Sequence, residues 1–216
     1  MTARELSFVH LFRPATIAGL PPVLLLHGTG GDETDLLGLG AAVAPGAALV
    51  SPRGQVLENG MPRFFRRLAE GVFDEADLRR RAGDLARFVD EARAAYGIDA
   101  PVALGFSNGA NIAAAVRLLH PGLLSGAILL RGMVPLETPA AAARVPTPAL
   151  LVSGERDPIV PAANAARLAT MLEEAGGPVE HRVLPTSHGV TNADVEFAAD
   201  WYARVASRPG ASGTAS

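Results

Sequence analysis

Short, continuous apolar runs recur along this chain, and most are followed by a longer stretch with helical spacing. The runs lie at 6–12, 22–27 (PVLLLH), 47–51 (AALVS), 101–106 (PVALGF), 125–130 (SGAILL), 148–153 (PALLVS) and 179–184 (VEHRVL). A strand with one wet face alternates apolar and polar residues. Runs without alternation mark strands covered on both faces. Helical spacing is clearest over 77–96. There Leu78, Ala82, Leu85, Val89, Ala92 and Tyr96 recur at three- and four-residue steps, while Arg79, Arg80, Asp84, Arg87 and Glu91 face away, and Gly97 supplies a C-cap. Further helices are predicted over 33–43, 108–119, 161–175 and 191–205. Strand–helix alternation of this kind predicts an α/β fold, with a mostly parallel sheet of about seven strands and helices on both faces.

The chain is 216 residues long and 49% apolar, enough for one substantial core. With no repeat and no compositional break, residues 1–206 read as a single domain. The tail 207–216, SRPGASGTAS, is small and polar without periodicity and is predicted to be disordered. Net charge is −3, which leaves no electrostatic footprint for nucleic acid. The absence of cysteine excludes disulfides, thiolate metal sites and a cysteine nucleophile. No metal or cofactor site is expected. No apolar run approaches the ~20 residues that cross a bilayer, and MTARELSFVHLFRP lacks the layout of a signal peptide. The expectation is a soluble, cytoplasmic protein without a membrane partner.

One stretch points to chemistry. In GFSNGAN, Ser107 stands between the strand PVALGF and the helix SNGANIAAAVRLLH. A serine on so sharp a strand-to-helix turn is held with its hydroxyl exposed at the carboxyl end of the sheet. Gly105 and Gly109 then spare the turn a steric clash. A serine hydroxyl needs a base, and the base needs an orienting carboxylate, in the chain order serine, acid, histidine. His188, in the loop LPTSHGVT, can swing over the serine, whereas His181 lies inside a strand pattern. Asp157, in GERDPIVP after the preceding strand, is the favoured acid, with Glu155 as the alternative. The developing oxyanion needs two donors. The N–H of Asn108 follows the nucleophile directly. The glycine-rich loop of LLLHGTGGDE offers that of Thr29, with Gly30 as the neighbour that could replace it. His27 is expected to be buried and hydrogen-bonded, and Asn111 and His120 to be structural.

Taken together, LLHGTGGDE, SPRG, GFSNGAN, GERDPIVP and SHG resemble the α/β-hydrolase superfamily, and within it the phospholipase/carboxylesterase family. The segment SPRGQVLENGMPRFFRRLAEGVFDEADL is similar to the subgroup found beside hydroquinone-cleaving dioxygenases in bacteria. The resemblance covers roughly residues 6–205. It implies the α/β-hydrolase fold, the same Ser–His–Asp triad and a compact serine esterase without a large cap domain. Its substrate is expected to be a small-molecule ester with a short acyl group. Around the site, Arg63 is expected at the pocket rim, with Phe64 or Phe65, Met133 and Ile159 against the acyl group. A core position for the phenylalanines, with Arg66 and Arg67 solvated, is the competing reading. Two other functions use the same residues: a catalytically silent small-ligand binding module, and a thioesterase or lactonase with the same triad.

Overall fold

The computed structural model describes residues 6–137 and 145–207. Within them the chain runs β1 (His10–Arg13), β2 (Val23–Leu26), α1 (Leu37–Val43), β3 (Leu49–Pro52), β4 (Val56–Glu58), β5 (Met61–Arg63), β6 (Arg67–Ala69) and β7 (Val72–Phe73). It continues through α2 (Glu75–Tyr96), β8 (Val102–Phe106), α3 (Asn108–Leu119), β9 (Gly126–Leu130), β10 (Ala149–Gly154), α4 (Ala162–Glu174), β11 (Val179–Leu184) and α5 (Asn192–Ala206). Seven strands form one sheet in the order β1-β3-β2-β8-β9-β10-β11. Every neighbouring pair is parallel except β1 with β3. The chain steps outward from β2 to β3, then crosses back to lay β8 on the other side of β2. The connections leaving β2 and β8 therefore diverge, and such a crevice at the carboxyl ends of the strands is where open parallel sheets bind ligands.

The unalternating strand runs have a direct cause. Successive side chains of a strand point to opposite faces, and both faces are covered here. Leu24, Leu26, Ala103, Ala127 and Leu129 pack in one core with residues of α2, α3 and α4. Val23, Leu25, Val102, Leu104, Ile128 and Leu130 pack in the other with α1 and α5.

Some boundaries differ from the sequence expectation for local reasons. Helix α2 starts at Glu75 rather than 77, because the Asp74 carboxylate accepts from the Asp77 N–H at 3.0 Å and caps it. It ends at Gly97 in the left-handed region, φ 63°. Helix α1 starts at Leu37 rather than 33. Asp32 Oδ1 accepts both the N–H (2.8 Å) and the hydroxyl (2.7 Å) of Thr34, a local turn that competes with helix.

The largest difference lies in 52–76, where no clear regular structure is expected from the sequence. Two hairpins occupy it, β4 with β5 and β6 with β7. The first turns on Asn59 and Gly60 alone, both at positive φ (52° and 79°), the conformation a two-residue type I′ turn requires. Residues 208–216 of the expected disordered tail lie outside the described residues.

Candidate active site

Ser107 joins β8 to α3 with φ 52° and ψ −113°, backbone angles that a residue with a Cβ rarely adopts. Strain of this kind costs ~1–3 kcal/mol and persists where the surroundings over-determine it. Here the Ser107 N–H donates to the Leu130 carbonyl (2.9 Å), and the Ser107 carbonyl accepts from the Asn111 N–H (3.0 Å). The flanking glycines are steric necessities. A Cβ on Gly105 would lie 2.5 Å from the Gly109 carbonyl oxygen, and one on Gly109 only 1.9 Å from that of Leu26.

Two loops bring the other polar groups to the serine. His188, between β11 and α5, has Nε2 2.9 Å from Ser107 Oγ. Its Nδ1 lies 2.8 Å from Asp157 Oδ2, between β10 and α4. The second carboxylate oxygen of Asp157 accepts from the N–H groups of Ile159 (2.8 Å) and Val160 (3.1 Å). An ionised carboxylate only accepts, so the ring proton sits on Nδ1 and Nε2 presents its lone pair to the serine hydroxyl. The Asp157 side chain is fully buried and that of His188 is 19% exposed. The loops are stitched by backbone bonds from Glu155 N–H to the Leu184 carbonyl (2.8 Å) and from Arg156 N–H to that of Thr186 (3.0 Å). The Glu155 side chain is exposed and makes no hydrogen bond among the described residues.

The residues that carry the two expected backbone donors, Thr29 and Asn108, line the same cleft as the serine. The Gly30 N–H is already taken by the Pro62 carbonyl at 2.9 Å. Among the described residues, the N–H groups of Thr29 and Asn108 have no hydrogen-bond partner. His27 anchors the Thr29 loop as a buried neutral ring. Its Nε2 accepts from the Gly54 N–H (2.9 Å), so its Nδ1–H donates to the Gly28 carbonyl (2.7 Å), and burial holds its pKa below the ordinary value.

A cleft of ≈ 350 Å³ opens over Ser107. Met133 and Ile159 line it as expected from the sequence, together with Thr29, Asn108 and His188; Arg63 lines it as well, but buried in its wall rather than at its rim. Arg63 is buried; its Nη1 donates to Thr29 Oγ1 (2.9 Å) and lies 3.2 Å from Glu58. Burial pulls the guanidinium below its ordinary pKa, and the Glu58 carboxylate opposes that shift.

Phe64 and Phe65 are not in the cleft wall, so the alternative that put one of them against the acyl group is corrected. They are 3% and 0% exposed. Phe64 packs on the His27 ring at 4.7 Å, and its N–H donates to Asn108 Oδ1 (2.8 Å). Phe65 meets Phe73 edge-on at 5.0 Å, and it is Phe73, on the second hairpin, that reaches the cleft. Arg66 is solvated, but Arg67 lines the cleft, paired with Glu58 at 2.8 Å. Sequence reading also missed Arg131 in the cleft wall. Asn111 lines the cleft while holding the Met133 N–H at 2.7 Å. The Asn59-Gly60 pair was the available signal for the first hairpin; nothing in the sequence marks Arg131.

Residues 20–205 match the model of the phospholipase/carboxylesterase family. The chain belongs to that family. It is 40% identical to MhqD of Bacillus subtilis over 195 residues, which is 89% of this chain and 96% of the relative. Among solved structures, a Bacillus cereus carboxylesterase superposes with a TM-score of 0.88 at 44% identity, covering 92% of this chain and 95% of that one. A carboxylesterase from Mesorhizobium loti gives 0.84 at 30% identity, covering 92% and 96%. This phospholipase/carboxylesterase family member is therefore a hydrolase acting on ester bonds, built on the α/β-hydrolase fold. Among the described residues, no helix is long and apolar enough to cross a membrane.

Proposed function

We propose that this protein is a serine carboxylic-ester hydrolase that works through an acyl-enzyme on small or short-acyl esters. The observation that carries the reading is the unbroken hydrogen-bonded chain from Ser107 Oγ through His188 (2.9 Å) to Asp157 (2.8 Å), beside two free N–H donors. Ser107 Oγ attacks the ester carbonyl carbon while its proton passes to His188 Nε2. The N–H groups of Thr29 and Asn108 hold the oxyanion, and Asp157 holds the imidazolium. Collapse breaks the bond to the alcohol, which leaves with the proton from His188. Water, deprotonated by the same imidazole, then attacks the acyl-enzyme and releases the acid and Ser107.

The cleft supports the substrate class. Its ≈ 350 Å³ is at the lower end of the ~300–1,000 Å³ typical of small-molecule sites. Each further buried methylene adds ~0.8 kcal/mol only while apolar wall remains to receive it. Phe73, Phe106, Met133, Ile159 and Val160 are the apolar side chains on offer, next to the charged Arg63, Arg67 and Glu70.

A fluorophosphonate probe tests the reading. The folded protein should be labelled at Ser107, and Ser107→Ala should lose labelling and at least ~10³-fold in turnover of a short-acyl p-nitrophenyl ester. A folded protein that resists the probe would instead be a silent binding module. Wild-type turnover by Ser107→Ala would end the proposal.

A further inference from the structure

The residue directly after β9 ties together the three loops of the site. Arg131 is fully buried and adopts φ 58°, a left-handed conformation uncommon for any residue with a Cβ. The carbonyl just before it, of Leu130, accepts from the Ser107 N–H (2.9 Å), and the Arg131 N–H donates to Val152 (2.8 Å) in the strand leading to Asp157. Its guanidinium reaches the third loop. Nε donates to the Ser187 carbonyl (3.1 Å) and Nη2 to that of Gly189 (2.8 Å), the residues on either side of His188. The remaining donors go to Val152 O (3.2 Å) and, bidentately, to Asp194 (2.6 and 2.9 Å). All five guanidinium N–H groups are thus used. Asp194, also fully buried, accepts as well from the N–H and hydroxyl of Thr191, each at 2.7 Å, at the start of α5.

We infer that Arg131, held by Asp194, is the positioning residue for His188. Ser187, Gly189 and Val190 are exposed, so little packing holds this loop from outside. Two charge-assisted bonds to the flanking carbonyls fix where the imidazole stands instead. A buried ion pair is weak ground for stability, since apolar replacements are often as stable. A strained backbone is retained where surroundings over-determine it, and such strain gathers at functional sites. The planar fork of arginine reaches three carbonyls and both carboxylate oxygens at once, and a lysine ammonium has no such fork.

The inference rests on His188 acting as the proton acceptor, and the experiment separates the two. Arg131→Lys, the double variant Arg131→Met/Asp194→Leu, His188→Ala and the wild type are compared by thermal melting. They are also compared by kcat and KM on p-nitrophenyl acetate, and by fluorophosphonate labelling rate. In the double variant kcat and labelling should both fall about 10²-fold with KM within about threefold, because an ångström of misplacement costs about that much. Arg131→Lys should lie between it and the wild type. A folded variant of either kind that turns over and labels like the wild type overturns the inference, as does a loss expressed mainly in KM. If the double variant does not fold, Arg131→Lys decides by the same criteria. Wild-type activity in His188→Ala would overturn the triad and this inference together. An inactive His188→Ala beside a fully active Arg131 variant would overturn the positioning role alone.

Discussion

Asp157→Asn should inactivate the protein while leaving it folded, and the hydrogen bonds at this carboxylate set the size of the effect. In the wild type one oxygen takes the His188 Nδ1–H at 2.8 Å. The other takes the N–H groups of Ile159 and Val160 at 2.8 and 3.1 Å. The amide of asparagine has only one acceptor oxygen. Left facing the two backbone N–H groups, it turns its NH₂ to the imidazole, which must then carry its proton on Nε2 and can no longer receive the serine's. Flipped, it serves the imidazole but leaves two buried backbone donors unpaired, at about 1–3 kcal/mol each, or roughly 2–6 kcal/mol together. That penalty alone lowers the population of the reactive tautomer by between about 30-fold and about 10⁴-fold. Loss of the charge that stabilises the imidazolium adds to it, so kcat should fall by about 10⁴-fold. The melting temperature should move by only a few degrees, because the favoured amide orientation keeps both backbone bonds. The assay is kcat on a short-acyl p-nitrophenyl ester, with Glu155→Gln as the control. The exposed Glu155 should tolerate the change. A folded Asp157→Asn protein within about tenfold of wild type, or the reverse ranking of the two variants, would refute the reasoning.

Phe65→Ala should destabilise the fold by about 3–5 kcal/mol, as large-to-small changes in a packed core do. Phe73→Ala should cost less and shift the ranking of kcat/KM across acetyl, butyryl, octanoyl and dodecanoyl esters. Efficiency rising steadily to dodecanoyl in the wild type would mean a long apolar groove and defeat the short-acyl reading. Gly109→Ala, which forces a Cβ to within 1.9 Å of the Leu26 carbonyl oxygen, should lower stability by at least ~1–3 kcal/mol; an unchanged melting temperature would contradict the packing described. Stability should fall as pH drops through about 6.5, because the unfolded chain binds protons there while burial keeps His27, His120 and His181 neutral in the fold. The loss should stop once the folded-state pKa values are passed. Each such histidine steepens the decline by up to about 1.4 kcal/mol per pH unit. His27→Gln, which can still accept from Gly54, should therefore flatten the curve, and an unchanged slope in urea-unfolding titrations would show that His27 is not the group responsible.

Much of this molecule could be read from short stretches of chain. Residues 22–27 or 125–130 fall in buried strands because their apolar runs lack alternation, and the alternation of strands with helices limits the sheet to a mostly parallel one. Ser107 needed only its position between a strand and a helix and the two glycines that avoid the clashes at Gly109 and Leu26. Asp157 and His188 needed the chain order of such loops, so their place beside Ser107 was anticipated before any distance was known. The errors have a common origin. Whether Phe64, Phe65 or Phe73 meets the cleft depends on two short hairpins folding back over it, and the three are equally apolar in the sequence. Whether Arg67 is solvated depends on where Glu58 stands, and only the β4–β5 hairpin sets that.

Arg131 is the extreme case. In the sequence it is one charge after an apolar run, with nothing to distinguish it from the other arginines of the chain. In the fold it joins Val152, Ser187, Gly189 and Asp194. Periodicity, turn chemistry and the steric demand for glycine act between near neighbours in the chain, so the sequence by itself determined the strands of the central sheet, the helices and the serine turn. Burial of a charge, the wall of a cleft and the position of a histidine loop depend on groups brought together from 21, 58 and 63 residues away. Those only the tertiary structure decided, because the energy of a buried charge depends on partners that local sequence does not contain.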